Sequence, residues 1–271
     1  TQARAATRSA MRYYRKFIAE ASELGPLDLY YYRFKSQAAL ERIETHGKTH
    51  RKWKEEVLAK AVRNNSLRAF DKLTDVVDGR RIIVPDPPLI VRVDGMMAAD
   101  AVGKFLDRYR QSLPLDRRML LDRFSLVDIA KKVVGVGSVG TRCLIVLLEA
   151  GDGTPLFLQF KQATPSVLET HLGASAFEQA GQRVVEGQRL IQATSDVLLG
   201  WARWQEPGAE DIDFYFRQLW DGKGKIDVEE LGPKRLAAYA SLCGKALAFA
   251  HARSGDAMMI RGYIGEDKAF D

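Results

Sequence analysis

A run of glycines followed at once by an apolar segment is the feature that most restricts the fold of this chain. Residues 133–142 read VVGVGSVGTR, and Cys143–Leu148 is entirely apolar. A second turn signal, Gly151-Asp152-Gly153, follows after only two more residues. Because no helix fits between the glycines and that turn, the segment predicts consecutive antiparallel strands, with residues 135–140 (the glycine loop) at the first turn.

Glycine loops that bind phosphate come in several kinds, and the residues after the loop separate them. A dinucleotide-binding loop leads into a helix, and a Walker loop contains Gly-Lys-Ser/Thr; neither follows Gly140. The remaining kind covers nucleotide phosphates between two antiparallel strands, as in protein kinases. Gly135, Gly137, Ser138 and Gly140 are therefore candidate nucleotide-binding residues, and a plain hairpin without a ligand is the alternative.

A kinase-type loop requires a lysine on the next strand, and Lys161 lies at the end of the apolar segment that starts at Leu156. Alternation along a strand puts Phe157, Gln159 and Lys161 on one face of the sheet. We interpret Lys161 as a phosphate-binding and catalytic candidate. A lysine that extends from the strand end into water is the alternative.

A kinase-type lysine is held by a carboxylate from the following helix, which the sequence predicts over residues 175–195. Three glutamates are available near that helix: Glu169, Glu178 and Glu186. We assign Glu186 as the partner of Lys161. For each of the three, a glutamate that faces solvent is the alternative.

Outside this central part, the sequence predicts mainly helices. Apolar residues at helical spacing indicate helices over residues 3–24, 36–65, 67–77, 98–113 and 233–253. Short extended segments are predicted at 81–84 and 89–91, and two further strands at 197–204 and 214–219. No internal repeat is present. The fold class is therefore α+β, with a β,β,β,α,β,β unit between helical segments.

Composition and charge exclude several classes of protein. The 271 residues are 46% hydrophobic and 28% charged, which excludes collagen-like and low-complexity chains. No apolar run reaches the ~18 residues of a membrane span, and Thr1 is not followed by a signal peptide. The two cysteines are far apart, which indicates buried, reduced thiols in a cytoplasmic protein.

The net charge of +6 comes from the N-terminal quarter. Residues 1–66 contain 14 Lys and Arg against 7 Asp and Glu, a balance of +7. We interpret this excess as a solvated helical surface. Nucleic-acid binding is the alternative, and steep salt dependence of binding would support it.

Several longer motifs resemble one bacterial family. They are Val133–Arg142, Arg183–Asp196, Leu199-Gly200-Trp201, Phe214–Leu219 and Ala250–Asp256. Together they resemble the domain of unknown function 2252 family, over nearly the whole chain. Relatives are expected to carry Lys-Glu-Ala where this chain has Lys161-Gln162-Ala163, which weakens any role for the residue after the lysine.

The resemblance implies a protein-kinase-like fold: a small antiparallel sheet lobe with one helix, packed on a mostly helical lobe. It also implies that ATP and Mg²⁺ are the cofactors and that an acceptor of unknown identity is the substrate. The catalytic-loop motif of relatives precedes the glycine loop, so the family resembles a circularly permuted kinase. Residues 1–125 and 223–271 would then be helical parts of the large lobe, and 126–222 the nucleotide lobe.

On this interpretation the catalytic-loop motif lies before Thr1, and these residues are an incomplete part of a longer chain. An acid within the chain is the alternative, and Asp256 in the segment His251–Asp256 is the candidate. No Asn follows Asp256 at the spacing of a metal ligand, and a helix end capped by hydrogen bonds explains the segment equally well. His46 and His50 lack a third metal ligand, so no metal site is predicted.

Two classes of function therefore remain. The first is the ATP-binding region of a phosphotransferase, not catalytically complete by itself. The second is a non-catalytic binding or scaffold module with a kinase-like fold.

Overall fold

The computed structural model describes residues 1–32, 66–93, 99–133, 140–205, 208, 210–219, 226–265 and 270. The protein divides into two compact units. The helical unit comprises Thr1–Ala61, Gln188–Ser195 and Gly224–Asp271, and the sheet unit comprises Val62–Gly187 and Asp196–Lys223. This division assigns residues 62–125 to the sheet unit, whereas the sequence analysis groups them with the helical lobe.

The described elements confirm the α+β class. In chain order they are α1 Gln2–Ser22, α2 Pro26–Tyr31, α3 Ser66–Leu73, β1 Thr74–Val77, β2 Arg80–Ile83, β3 Ile90–Arg92, α4 Ala99–Gln111, α5 Leu115–Leu121, β4 Phe124–Lys132, β5 Cys143–Ala150, β6 Pro155–Gln162, α6 Glu169–Leu172, α7 Ala180–Ile191, β7 Gly200–Trp204, β8 Ile212–Gln218, α8 Pro233–Ser254 and α9 Ala257–Ile264.

A six-stranded antiparallel sheet dominates the sheet unit. Its strand order is β3-β4-β5-β6-β8-β7, and β1 and β2 form a separate two-stranded sheet. The predicted consecutive strands β4, β5 and β6 are confirmed. Because β5 begins at Cys143, no crossover helix follows Gly140, and the dinucleotide-binding alternative is excluded.

Side chains alternate between the two faces of this sheet, as predicted for β6. One face, which we call the apolar face, carries Leu158 and Phe160 and packs on α4 through Phe105 and Tyr109. The opposite face carries Phe157, Gln159 and Lys161, and we call it the Lys161 face. On the Lys161 face, Phe157 packs with α3 and β2 in a second apolar cluster.

The helical unit is built on the parallel packing of α1 and α8, since Ser9 contacts Ser241 and Tyr14 contacts His251. Phe17, Ile18 and Ala21 of α1 contact Ala248 and Phe249 of α8 in one buried cluster. The predicted apolar stripe of residues 3–24 is thus confirmed as a buried helix face. Within the described residues, no helix has both the length and the apolarity that a membrane crossing needs.

Two predicted helices differ from the structure, and one observed helix was not predicted. The predicted helix 67–77 ends at Leu73, because Thr74–Val77 pairs with β2 through a hairpin at Asp78-Gly79, where both residues have positive φ. The helix predicted over 175–195 begins only at Ala180. Residues after Asp256 form the helix α9, which the sequence analysis did not predict.

Two further predictions have separate outcomes. The helix predicted over residues 36–65 lies outside the described residues, as do His46 and His50. Both cysteines are free, as expected; Cys143 is buried, but Cys243 is exposed, so the prediction of burial was wrong for Cys243.

Candidate functional site

Lys161 lies in the middle of the six-stranded sheet, with a neighbour on each side. On β5 its partner is Cys143, and on β8 it is Tyr215. Directly paired residues of an antiparallel sheet point to the same face. Cys143, Lys161 and Tyr215 therefore form a row across the Lys161 face.

The same row continues onto β4. Lys131 pairs with Leu144, so Lys132 lies opposite Cys143, one position further along. Lys132 is half-buried, whereas Lys131 is exposed and points to the apolar face. The row therefore contains two lysines, Lys132 and Lys161, on either side of a cysteine.

The pKa of the Cys143 thiol reflects both its burial and the two lysines beside it. Burial raises the pKa of Cys143 to about 11, against the opposing influence of Lys161 and Lys132 and of a hydrogen bond with Gln159. Both ammonium groups thus lie close enough to act on one sulfur atom. Because burial outweighs two positive charges, the thiol stays protonated at neutral pH.

Burial also acts on the other polar groups of this row. It lowers the pKa of Lys132; Asp86 and Cys143 act in the opposite direction, and Lys72 adds to the lowering. It raises the pKa of the Tyr215 hydroxyl. On the Lys161 face, basic and hydroxyl side chains are therefore partly withdrawn from water.

Arg217 adds a further cation on this face. It pairs with Gln159, two positions along β8 from Tyr215, so it is a diagonal neighbour of Lys161. Gln159 is 3% exposed, and the Nε atom of Arg217 is buried without a hydrogen-bond partner in the part of the chain that the structure describes.

The glycine loop itself is described only at its end. Gly135, Gly137 and Ser138 lie outside the described residues. Gly140 has a φ of +80°, a conformation that favours glycine. Directly after the loop, the side-chain Oε1 of Gln162 accepts a hydrogen bond of 3.0 Å from the backbone N–H of Arg142. Gln162 thus fixes the start of β5, a role that the sequence analysis missed.

The helix α7 lies against the Lys161 face because of one glycine. A Cβ atom built on Gly181 would collide with the backbone oxygen of Phe214 and lie 3.3 Å from the Cβ of Trp201. The carboxylate of Asp213 on β8 accepts a hydrogen bond of 2.8 Å from the N–H of Ala180 and so caps the start of the helix. Both contacts attach the first turn of α7 to β8.

The three candidate glutamates have different surroundings. Glu169 lies 3.7 Å from Arg183, and the backbone carbonyl of Glu178 accepts a hydrogen bond from Arg203. Glu186 is half-buried on α7, next to the fully buried Val185. Among the described residues Lys161 makes no ion pair, so its pairing with Glu186 stays a prediction.

Asp256 and His251 lie in the helical unit, where both side chains have structural partners. The carboxylate of Asp256 accepts hydrogen bonds of 2.9 and 3.0 Å from the N–H groups of Met258 and Met259 and caps α9. The Nδ1 atom of His251 lies 2.8 Å from the hydroxyl of Tyr14. These contacts agree with the alternative of a capped helix end.

Metal ligands are a separate question. In the ranges that the structure describes, no three His, Cys, Asp or Glu side chains come together in a group that could hold an ion.

Comparison with known proteins gives a family for the chain. Searches of curated proteins and of solved structures found no match. The family model described as an uncharacterized protein conserved in bacteria, DUF2252, matches residues 1–271. The resemblance carried by the motifs around the glycine loop and Lys161 is thereby confirmed: the chain belongs to the DUF2252 family of uncharacterised bacterial proteins.

Proposed function

We propose that the sheet unit is the nucleotide-binding part of a kinase-like phosphotransferase, which binds the phosphates of ATP on the Lys161 face. The single observation that carries this proposal is the row in which Lys132 and Lys161 flank the buried Cys143 at the end of the glycine loop.

The order of elements supports the proposal. In protein kinases a glycine loop covers the phosphates, the lysine follows on strand three, and its glutamate lies on the next helix. Here the glycine loop joins β4 to β5, Lys161 is on β6, and α7 is the next helix longer than one turn. The helix packs beside Tyr215 and Trp201, on the face to which Lys161 points.

The charges of the Lys161 face fit a phosphate chain. Lys132, Lys161 and Arg217 present positive charge, and burial weakens the competition of water for an anion. In this surrounding, hydrogen bonds between cationic nitrogens and phosphate oxygens are stronger than neutral ones. ATP would bring Mg²⁺ with its phosphates, and that ion would neutralise charge on them.

Binding without turnover is the expected behaviour of these 271 residues. Phosphoryl transfer also needs an acidic residue that orients the acceptor hydroxyl. The sequence contains no Asp/Asn pair with catalytic-loop spacing, and Asp256 has a structural role as a helix cap. A scaffold module with the same fold is the competing function.

The test is the affinity for MgATP of the wild type, Lys161→Met and Lys131→Met, measured by calorimetry, with the thermal unfolding of each protein. Lys131 is a matched control, because it is a lysine of the same sheet that is exposed on the opposite face. We expect Lys161→Met to weaken binding at least about tenfold, since charged hydrogen bonds contribute about 1.5–3 kcal/mol, and Lys131→Met to bind as the wild type does.

Two results would contradict the proposal. If the wild type shows no binding of MgATP and no shift of melting temperature at millimolar nucleotide, the scaffold function is favoured. If Lys161→Met and Lys131→Met bind equally well, Lys161 is not part of the site.

A further inference from the structure

We propose that Lys132 is a second phosphate-binding residue of this site, which acts together with Lys161 on a ligand that carries more than one phosphate. The inference rests on the proposed function and deepens it. If Lys132 and Lys161 both bind phosphate, the ligand is a di- or triphosphate and not a monophosphate. Lys132 is on β4 and is not part of the pattern of glycine loop and lysine.

The first step is that the two lysines lie on the same face of the sheet, on either side of Cys143. Lys132 and Lys161 are on strands separated by one strand, so their Cα atoms are about 10 Å apart, twice the usual spacing of neighbouring strands. Both charges nevertheless act on the thiol of Cys143 between them. Because the three residues lie in one row on one face, the space above the sulfur atom is within reach of both long side chains.

The second step is that the protein alone does not explain the charge of Lys132. The side chain is half-buried. In the described ranges, no carboxylate lies within 4 Å of its ammonium group. Burial lowers its pKa, exposed Asp86 and the side chain of Cys143 act against this change, and exposed Lys72 adds to it. A lysine that burial destabilises in its charged form contributes little to folding, which is typical of residues kept for a ligand.

The third step concerns the ligand. A monophosphate presents one cluster of anionic oxygens, which a single lysine can bind. A phosphate chain presents separate anionic groups, and each lysine can donate to a different one. Lys132 is also the last residue of β4 and precedes Gly135, the first glycine of the loop, by three positions in the sequence.

The experiment compares ATP, AMP and inorganic tripolyphosphate as ligands of the wild type and of Lys132→Met, Lys132→Arg, Lys161→Met and Lys131→Met. Thermal unfolding without ligand accompanies each titration. We expect Lys132→Met to weaken ATP and tripolyphosphate binding at least about tenfold, given the usual strength of charged hydrogen bonds, with AMP binding changed less than twofold. Lys132→Arg should keep most of the affinity, and Lys131→Met all of it.

Without ligand, Lys132→Met should unfold at the same temperature as the wild type or at a higher one, because a desolvated charge is removed. The inference is overturned if Lys132→Met binds ATP as Lys131→Met does, or if it loses affinity for AMP and ATP equally. If Lys161→Met weakens binding and Lys132→Met does not, only this inference fails. If the wild type binds neither ATP nor tripolyphosphate, the proposed function fails with it.

Discussion

The Lys161 face of the sheet and the junction between α8 and α9 both carry charged side chains. The two regions differ in whether the protein supplies partners for those side chains. At the junction, the carboxylate of Asp256 accepts two backbone hydrogen bonds, and the His251 ring contacts the hydroxyl of Tyr14. On the Lys161 face, neither Lys161 nor Lys132 makes an ion pair within the described part of the chain.

This difference separates structural charges from candidate ligand-binding charges. A helix cap fully accounts for Asp256, because the first backbone N–H groups of a helix need acceptors. No comparable structural requirement explains why Lys132 and Lys161 lie beside a buried thiol. Charged groups that are desolvated and lack a protein partner are therefore the better indicator of a site.

The largest effect is expected from moving α7 away from the Lys161 face. Gly181→Ala places a methyl group against the Phe214 carbonyl, and overpacking of this kind costs about 2–3 kcal/mol. We expect lower stability in urea denaturation and weaker ATP binding. The matched control is Gly187→Ala on the same helix, where a Cβ meets nothing within 4 Å.

Gly187→Ala should leave ATP binding unchanged and stabilise the protein by up to ~1 kcal/mol, because alanine is the better helix former. Equal stability of the two variants would show that the contact of Gly181 with β8 does not hold the helix in place.

The second prediction tests the buried thiol by its pH dependence. The pKa of Cys143 rises from 9.0 to about 11 in the folded protein. Between these pH values the unfolded chain has lost the proton and the folded protein keeps it, so rising pH favours unfolding. The wild type should lose about 2 kcal/mol more than Cys143→Ala over this range, as measured by denaturation at pH 8 and at pH 10.5.

Parallel pH curves of the wild type and Cys143→Ala would mean that the thiol is not desolvated, and the argument for a dry, positively charged row would lose its support.

The smallest effect is expected at the junction of α8 and α9. Asp256→Ala removes the cap of α9 and should cost about 1 kcal/mol of unfolding free energy, while Asp256→Asn keeps an acceptor and most of the stability. ATP binding should not change in either variant. A loss of nucleotide affinity in both Asp256→Ala and Asp256→Asn would make Asp256 a site residue and remove the contrast between the two regions.

Much of the sheet could be predicted from local sequence. The glycine loop, the apolar segment after it and the Gly-Asp-Gly turn allow only a hairpin, and the alternation of β6 assigns Gln159 and Lys161 to one face. The helix predicted over 67–77 was partly wrong, because Asp78-Gly79 is a hairpin turn and the β-branched residues before it pair with β2.

The sequence by itself determined the order of strands around the glycine loop, the face of Lys161 and the family, since turn residues and alternation act over a few positions. Only the tertiary structure decided that Lys132 lies opposite Cys143, that Asp213 caps α7, and that burial outweighs two ammonium charges at one thiol. These depend on strand register and on desolvation, which are set by residues far apart in the chain and by how tightly they pack.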